Sequence, residues 1–146
     1  MTETFDPQAY LEDCVRIDDM VLDEEFIRVP SDLAFWSARH AEAVRTHLIA
    51  KLEAEKARAK AHLKLKAEAE IAGKKMTVAD LDAHIYHDPD YLDAAVALIE
   101  AESEKKRLQG CVEAVHAKKE MVQSLGAKLR AEMERDPLVK AEQRNR

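Results

Sequence analysis

Between Ala94 and Met133, residues recur in alternating steps of four and three: Ala94, Leu98, Ala101, Lys105, Leu108, Val112, Val115, Lys119, Val122, Gly126, Leu129 and Met133. A strand needs a period of two. A period of 3.5 kept up for more than five heptads demands one long helix whose stripe is covered by a partner helix. A second, thinner stripe lies upstream, at Trp36, His40, Ala43, His47, Ala50, Ala54, Ala57 and Ala61. Its small side chains let a partner helix come close. The two stripes together predict an all-α chain built on a long antiparallel, coiled-coil-like helical hairpin.

Punctuation along the chain gives the boundaries. Asp6 followed by Pro7 reads as an N-cap with proline at the first helical position, so a short helix to about Cys14 is expected inside an acidic arm, residues 1–30. Pro30 is read as the end of that arm, with Ser31 or Asp32 capping a helix that runs over 32–72 and stops at Gly73. Thr77-Val78-Ala79-Asp80 has the spacing of a capping box and opens a short helix over 78–87. Asp88-Pro89-Asp90 begins the last helix, 89–135, and Asp136-Pro137 closes it before a polar, basic tail, 137–146. The expected organisation is thus an arm, a hairpin domain over 31–136 and a tail.

With 3 Gly, 4 Pro and 36% charged residues in 146, the composition belongs to long helices rather than to a compact enzyme. No apolar run reaches the 18 residues of a membrane span, and the acidic start lacks the basic and apolar stretches of a signal peptide. Cys14 and Cys111 stand far apart, as in a reducing compartment. A cytoplasmic protein with no membrane partner is expected.

Charge alternates in blocks: net -8 over residues 1–32, +5 over 33–75, -8 over 76–104 and +5 over 105–146. Folding the helices about residue 80, so that residue i faces 161 minus i, sets Lys56, Lys60, Lys64 and Lys66 against Glu100, Glu102 and Glu104. The same register brings Glu53 and Glu55 to Lys105, Lys106 and Arg107, and Lys119 near Glu42. It also sets Asp32 opposite Leu129, so the last turns project past their partner, at an end that carries Val122, Leu125, Leu129 and Met133 as an apolar stripe, which suggests self-association. Phe5, Tyr10 and Leu11 of the arm could cover that stripe instead.

The chain has no P-loop, dinucleotide fingerprint, zinc spacing or nucleophile–base set, and a non-enzyme without cofactors is expected. His84 and His87, with Asp88 and Asp90 beside them, could offer ligands to a metal, but they also read as a helix–turn–helix corner with Asp88 as its cap. His40 and His47 read as polar seam residues, Cys111 as a small core filler, and Phe35 with Trp36 as the anchor of the arm. Lys56, Lys60 and Lys64 form a row at i, i+4 and i+8, with Arg58, His62 and Lys66 forming a second row. Several cations along a stiff rod suit the phosphate backbone of a nucleic acid; the same cations could simply pair with the glutamates at 100–104.

Three stretches carry a family likeness: the aromatic helix entry Ser31-Asp32-Leu33-Ala34-Phe35-Trp36-Ser37, the basic, alanine-rich run from Lys51 to Lys60, and the segment from Val112 to Arg130. Across most of residues 31–133 the chain resembles the bacteriophage recombination mediators of the UvsY type. The resemblance implies a helical protein that assembles into rings, heptamers by family likeness, binds single-stranded DNA, and helps a RecA-like recombinase displace a single-strand-binding protein. The family's DNA-contacting basic positions fall on Ala61 and Leu63 here, so neighbouring Lys56, Arg58, Lys60, Lys64 and Lys66 are the candidates. A coiled-coil adaptor or scaffold with no nucleic-acid role is the alternative.

Overall fold

A computed structural model describes residues 5–136. All regular structure in that range is helical: α1 (Pro7–Val15), a 3-10 turn (Asp19–Val21), α2 (Leu22–Ile71), α3 (Val78–Ile85) and α4 (Pro89–Arg135). The basic tail at 137–146 lies outside the described residues.

Local chemistry accounts for most ends. The Asp6 carboxylate accepts a hydrogen bond from the Gln8 amide at 2.9 Å, capping α1. Gly73 has φ +65°, and the amides of Gly73 and Lys74 donate back to the carbonyls of Glu70 and Ala69, closing α2 in a Schellman motif. Thr77 and Asp80 form a reciprocal capping box at the start of α3. Asp88 caps α4 by accepting from the Tyr91 amide at 3.0 Å.

One boundary differs from expectation. α2 begins at Leu22, and Pro30 lies inside it. Proline there removes one backbone hydrogen bond, a cost of about 3 kcal/mol. The helix carries on because its buried stripe already runs through the segment: Leu22, Glu25, Val29, Asp32 and Trp36 are buried or half-buried at steps of three and four. The true break falls earlier, at residues 16–18, and the expected arm-and-hairpin division gives way to two compact units.

The first unit comprises Met1–Ala38 with Gln109–Arg146. Its described part is a cluster of three helical stretches: α1, the start of α2 and the end of α4. Cys14, Val29, Trp36, Cys111, Val115 and Val122 make the core. Tyr10 packs on Phe35 and Trp36 at ring-centroid separations of 4.7 and 5.9 Å, and Phe5 joins Phe35 at 6.0 Å. The Cys14 thiol has a raised pKa, chiefly because of its burial. Arg28 pairs with Asp13 of α1 and, at 3.3 Å, with buried Asp32.

The second unit, Arg39–Leu108, joins the middle of α2, all of α3 and the start of α4. Ala43, Ala54, Ala61 and Ala69 are buried on α2, Leu81 and Ile85 on α3, and Leu108 on α4. His47 approaches Lys105 at 3.5 Å.

Within each unit, α2 and α4 run antiparallel, in a register that corrects the one inferred from charge. Gly126 meets the Phe26 ring and His47 meets Lys105, so residue i faces roughly residue 150 minus i, not 161 minus i. The difference is about ten residues, on the order of 15 Å along the helix. The charges that suggested the other register are largely satisfied within one helix: Lys56 by Glu53, Arg107 by Glu104 and Lys106 by Glu102. Such exposed pairs add only tenths of a kcal/mol and say little about the partner.

The α4 stripe also departs from strict alternation. After Leu108 the buried positions are Cys111, Val115, Lys118 and Val122, and Lys119 is exposed. That stretch of α4 shares its unit with α1 as well as α2, and Lys118 is near enough to act on the Asp13 carboxylate of α1, so its covered face is not that of a two-stranded coil.

Candidate functional site

The basic candidates on α2 all lie in the second unit, and the helix divides them between two flanks. At about 100° per residue, Lys56, Lys60 and Lys64 follow one edge of the buried Ala54–Ala57–Ala61 stripe, and Arg58, His62 and Lys66 follow the other. The five DNA-binding candidates therefore do not form one surface.

Lys56, Lys60 and Lys64 line a groove of about 360 Å³. Ala57, Ala61 and Ala94 also line it, with the carboxylates Glu53, Asp88 and Asp90 around them. Lys56 pairs with Glu53 at 2.9 Å, and Lys64 stands 3.9 Å from Asp88, a residue already engaged in capping α4. Lys60 makes no ion pair among the described residues. The lysine side chains at 56 and 64 remain more than half exposed, so each can turn toward a ligand. Three cations and three carboxylates make a mixed site: phosphate oxygens would have to displace Glu53 and Asp88 to use all of it.

On the other flank Arg58 binds Asp82 of α3 at 3.2 Å, and His62 is half-buried. Lys66 is exposed and makes no ion pair among the described residues. None of these three lines the groove.

The expected self-association stripe is split as well. Val122 is fully buried inside the first unit, beside a groove that Phe26, Val29, Pro30 and Leu33 also line. Leu125 is half-buried. Leu129 and Met133 are exposed, in an open groove of about 860 Å³ that Leu22, Phe26 and Gly126 also line, with Asp19, Asp23 and Glu24 at its rim. The covering side chains come from the start of α2, a consequence of the shifted register. Phe5 and Tyr10 sit instead against Phe35 and Trp36.

The histidines at the α3–α4 corner have ring centroids 6.3 Å apart, and His84 Nδ1 is 2.7 Å from the Asp80 carbonyl of its own helix. No group of three or more His, Cys, Asp or Glu among the described residues is arranged to hold a metal ion. No helix among them is long and apolar enough to cross a membrane.

Sequence reading missed two features. The first is the buried ion pair of Lys118 with Glu25, 2.5 Å apart in the first unit. Its signal was present, since Glu25 falls on the α2 stripe once that stripe is extended back through Pro30. The second is an apolar outer face on the second unit: Leu48, Ile49, Leu52 and Leu63 of α2 are all exposed, as are Leu92, Val96 and Ile99 of α4. Its signal was a second heptad-like spacing on the side of α2 away from the alanines. Comparison with protein-family models, with curated proteins and with solved structures gives no match.

Proposed function

We propose that this chain is a non-enzymatic recombination mediator that holds single-stranded DNA on the Lys56–Lys60–Lys64 row and helps load a RecA-like recombinase against a single-strand-binding protein. The observation that carries the DNA part is the row itself: three exposed cations one helical turn apart, the central one with no ion pair among the described residues. The recombinase, the single-strand-binding protein and a ring-like assembly come from the resemblance to UvsY-type mediators.

Binding of a fluorescent oligonucleotide across a range of salt tests the row. Single strands give a slope of log affinity against log salt of about -0.7 per phosphate neutralised, so three contacts predict a slope near -2. Replacing Lys56 and Lys60 by alanine is expected to weaken binding and flatten the slope toward that of one contact. Lys66→Ala, on the opposite flank, is expected to leave both unchanged. Equal effects from the two flanks, or none from either, would remove the row from the mechanism.

The second reading is a helical adaptor without a nucleic-acid role. The exposed leucines of the second unit favour it, because a solitary helix cluster gains nothing from them.

A further inference from the structure

α2 carries apolar side chains on two sides. Ala43, Ala54 and Ala61 face inward. Leu48, Leu52, Ala59 and Leu63 follow the opposite side at steps of four, seven and four, one heptad-like stripe that no other element of the unit covers. Their exposures are 59% for Leu48, 51% for Leu52 and 68% for Leu63, against 3–7% for the three inward alanines. α4 repeats the arrangement. Ala94, Leu98 and Ala101 are half-buried, whereas Leu92, Val96 and Ile99, at steps of four and three on the far side of the helix, are 42–64% exposed.

The two outer stripes point away from each other, because each is opposite the face that its helix turns to the other. They are also level. With residue i across from about 150 minus i, Leu92–Ile99 stands beside residues near 51–58, within the Leu48–Leu63 stretch. Their borders carry opposite charge on balance. Lys51, Lys60 and Lys66 border the α2 stripe, with the carboxylate Glu55 on the same side, and none of the four has an ion pair among the described residues. Asp93 and Glu100 border the α4 stripe, equally without ion pairs. The surrounding sequence deepens the contrast, at net +5 over 33–75 and -8 over 76–104.

We infer that the second unit is an interface between copies of this chain, the outer α2 stripe of one copy docking on the outer α4 stripe of the next. Apolar knobs meet along the middle, and Lys51, Lys60 and Lys66 meet Asp93 and Glu100 at the rim. The contact is heterologous: each copy offers a different face to each neighbour, so it can repeat and close into a ring or extend as a filament. The rim charges disfavour the symmetric alternatives, because α2 against α2 sets lysines together and α4 against α4 sets carboxylates together. This interface gives the ring-like assembly proposed above a surface and shares Lys60 with the DNA row, but it does not use the Leu129–Met133 groove.

Two face-directed variants of the full chain test it: Leu52→Glu with Leu63→Glu, and Val96→Glu with Ile99→Glu. All four sites are at least half exposed, and circular dichroism checks that helicity is kept. In sedimentation velocity the parent is expected to assemble, more weakly as salt rises, and each variant alone to fall to the mass of one chain, 16.5 kDa. Mixed in equal amounts, the variants are expected to form a one-to-one dimer that grows no further, since each keeps one intact face and the two are complementary. A parent that stays monomeric at every concentration overturns the inference and assigns the faces to a foreign partner. Variants that still assemble alone, or that fail to combine when mixed, overturn it as well.

Discussion

Lys118 Nζ and Glu25 are among the most buried charged groups in the described chain, and each depends on the other. The Lys118 side chain is 1% exposed and that of Glu25 10%. Burial is the largest influence on Glu25 and opposes its charge, but donation from Lys118, the Asp18 amide at 3.2 Å and the field of Arg28 together hold its carboxyl below the ordinary glutamate range. A carboxyl with a lowered native pKa stabilises the fold above its unfolded value and loses that contribution as pH falls through the native one. Acid titration of the fold is therefore expected to weaken in Glu25→Gln. Lys118→Met should be costly, about 3–5 kcal/mol in a denaturant titration, because it strands a buried carboxylate. Lys118→Met combined with Glu25→Leu should recover most of that loss, since a well-packed apolar pair can replace a buried ion pair at little cost. Recovery of less than about a third would mean that the pair is not the source of the penalty. The pair shows how far reading reached at this scale. A lysine was legible on the α4 stripe, but the choice between 118 and 119 depends on α1 sharing the covered face, and strict heptad counting contains no α1.

Helix starts and stops were legible wherever a cap writes them: Asp6, Gly73, Thr77 and Asp88 each carry side-chain or backbone chemistry that needs no tertiary partner. Pro30 was misread because proline is a local signal that tertiary burial can overrule. Pro30→Ala is expected to stabilise the protein by about 2–3 kcal/mol, restoring a hydrogen bond at an exposed helix position. The check is a higher denaturation midpoint with an unchanged m-value. Gly73→Ala should act the other way, costing about 1–2 kcal/mol, because a side chain at φ +65° crowds the backbone. The contacts at Gly73 are open, so a large loss there would have to come from somewhere other than packing.

At the scale of the whole molecule, the division into an acidic arm and a hairpin domain gives way to two units, because the start of α2 is core to the first. Deleting residues 1–29 removes Cys14, Glu25 and Val29 from that core. Trp36, the one tryptophan and fully buried, reports on it. Its emission is expected to shift to the red in the truncated chain, and an unshifted spectrum would restore the arm as a separable segment. Register was the part of the architecture that charge patterning could not supply. The long-range matches it offered compete with partners three or four residues away, and those local pairs form at no cost in chain closure. The alanine stripe of α2 has one more consequence. Trp36, Val115 and Val122 anchor the first unit, whereas the second seals α2 mainly with methyl groups. Each alanine removes far less area from water than a leucine would, so local opening of that stretch requires less free energy. Amides of α2 between Ala43 and Ala61 are therefore expected to exchange with deuterium sooner than those between Val29 and Trp36, and the gap should narrow at protein concentrations where neighbouring copies cover the outer leucines.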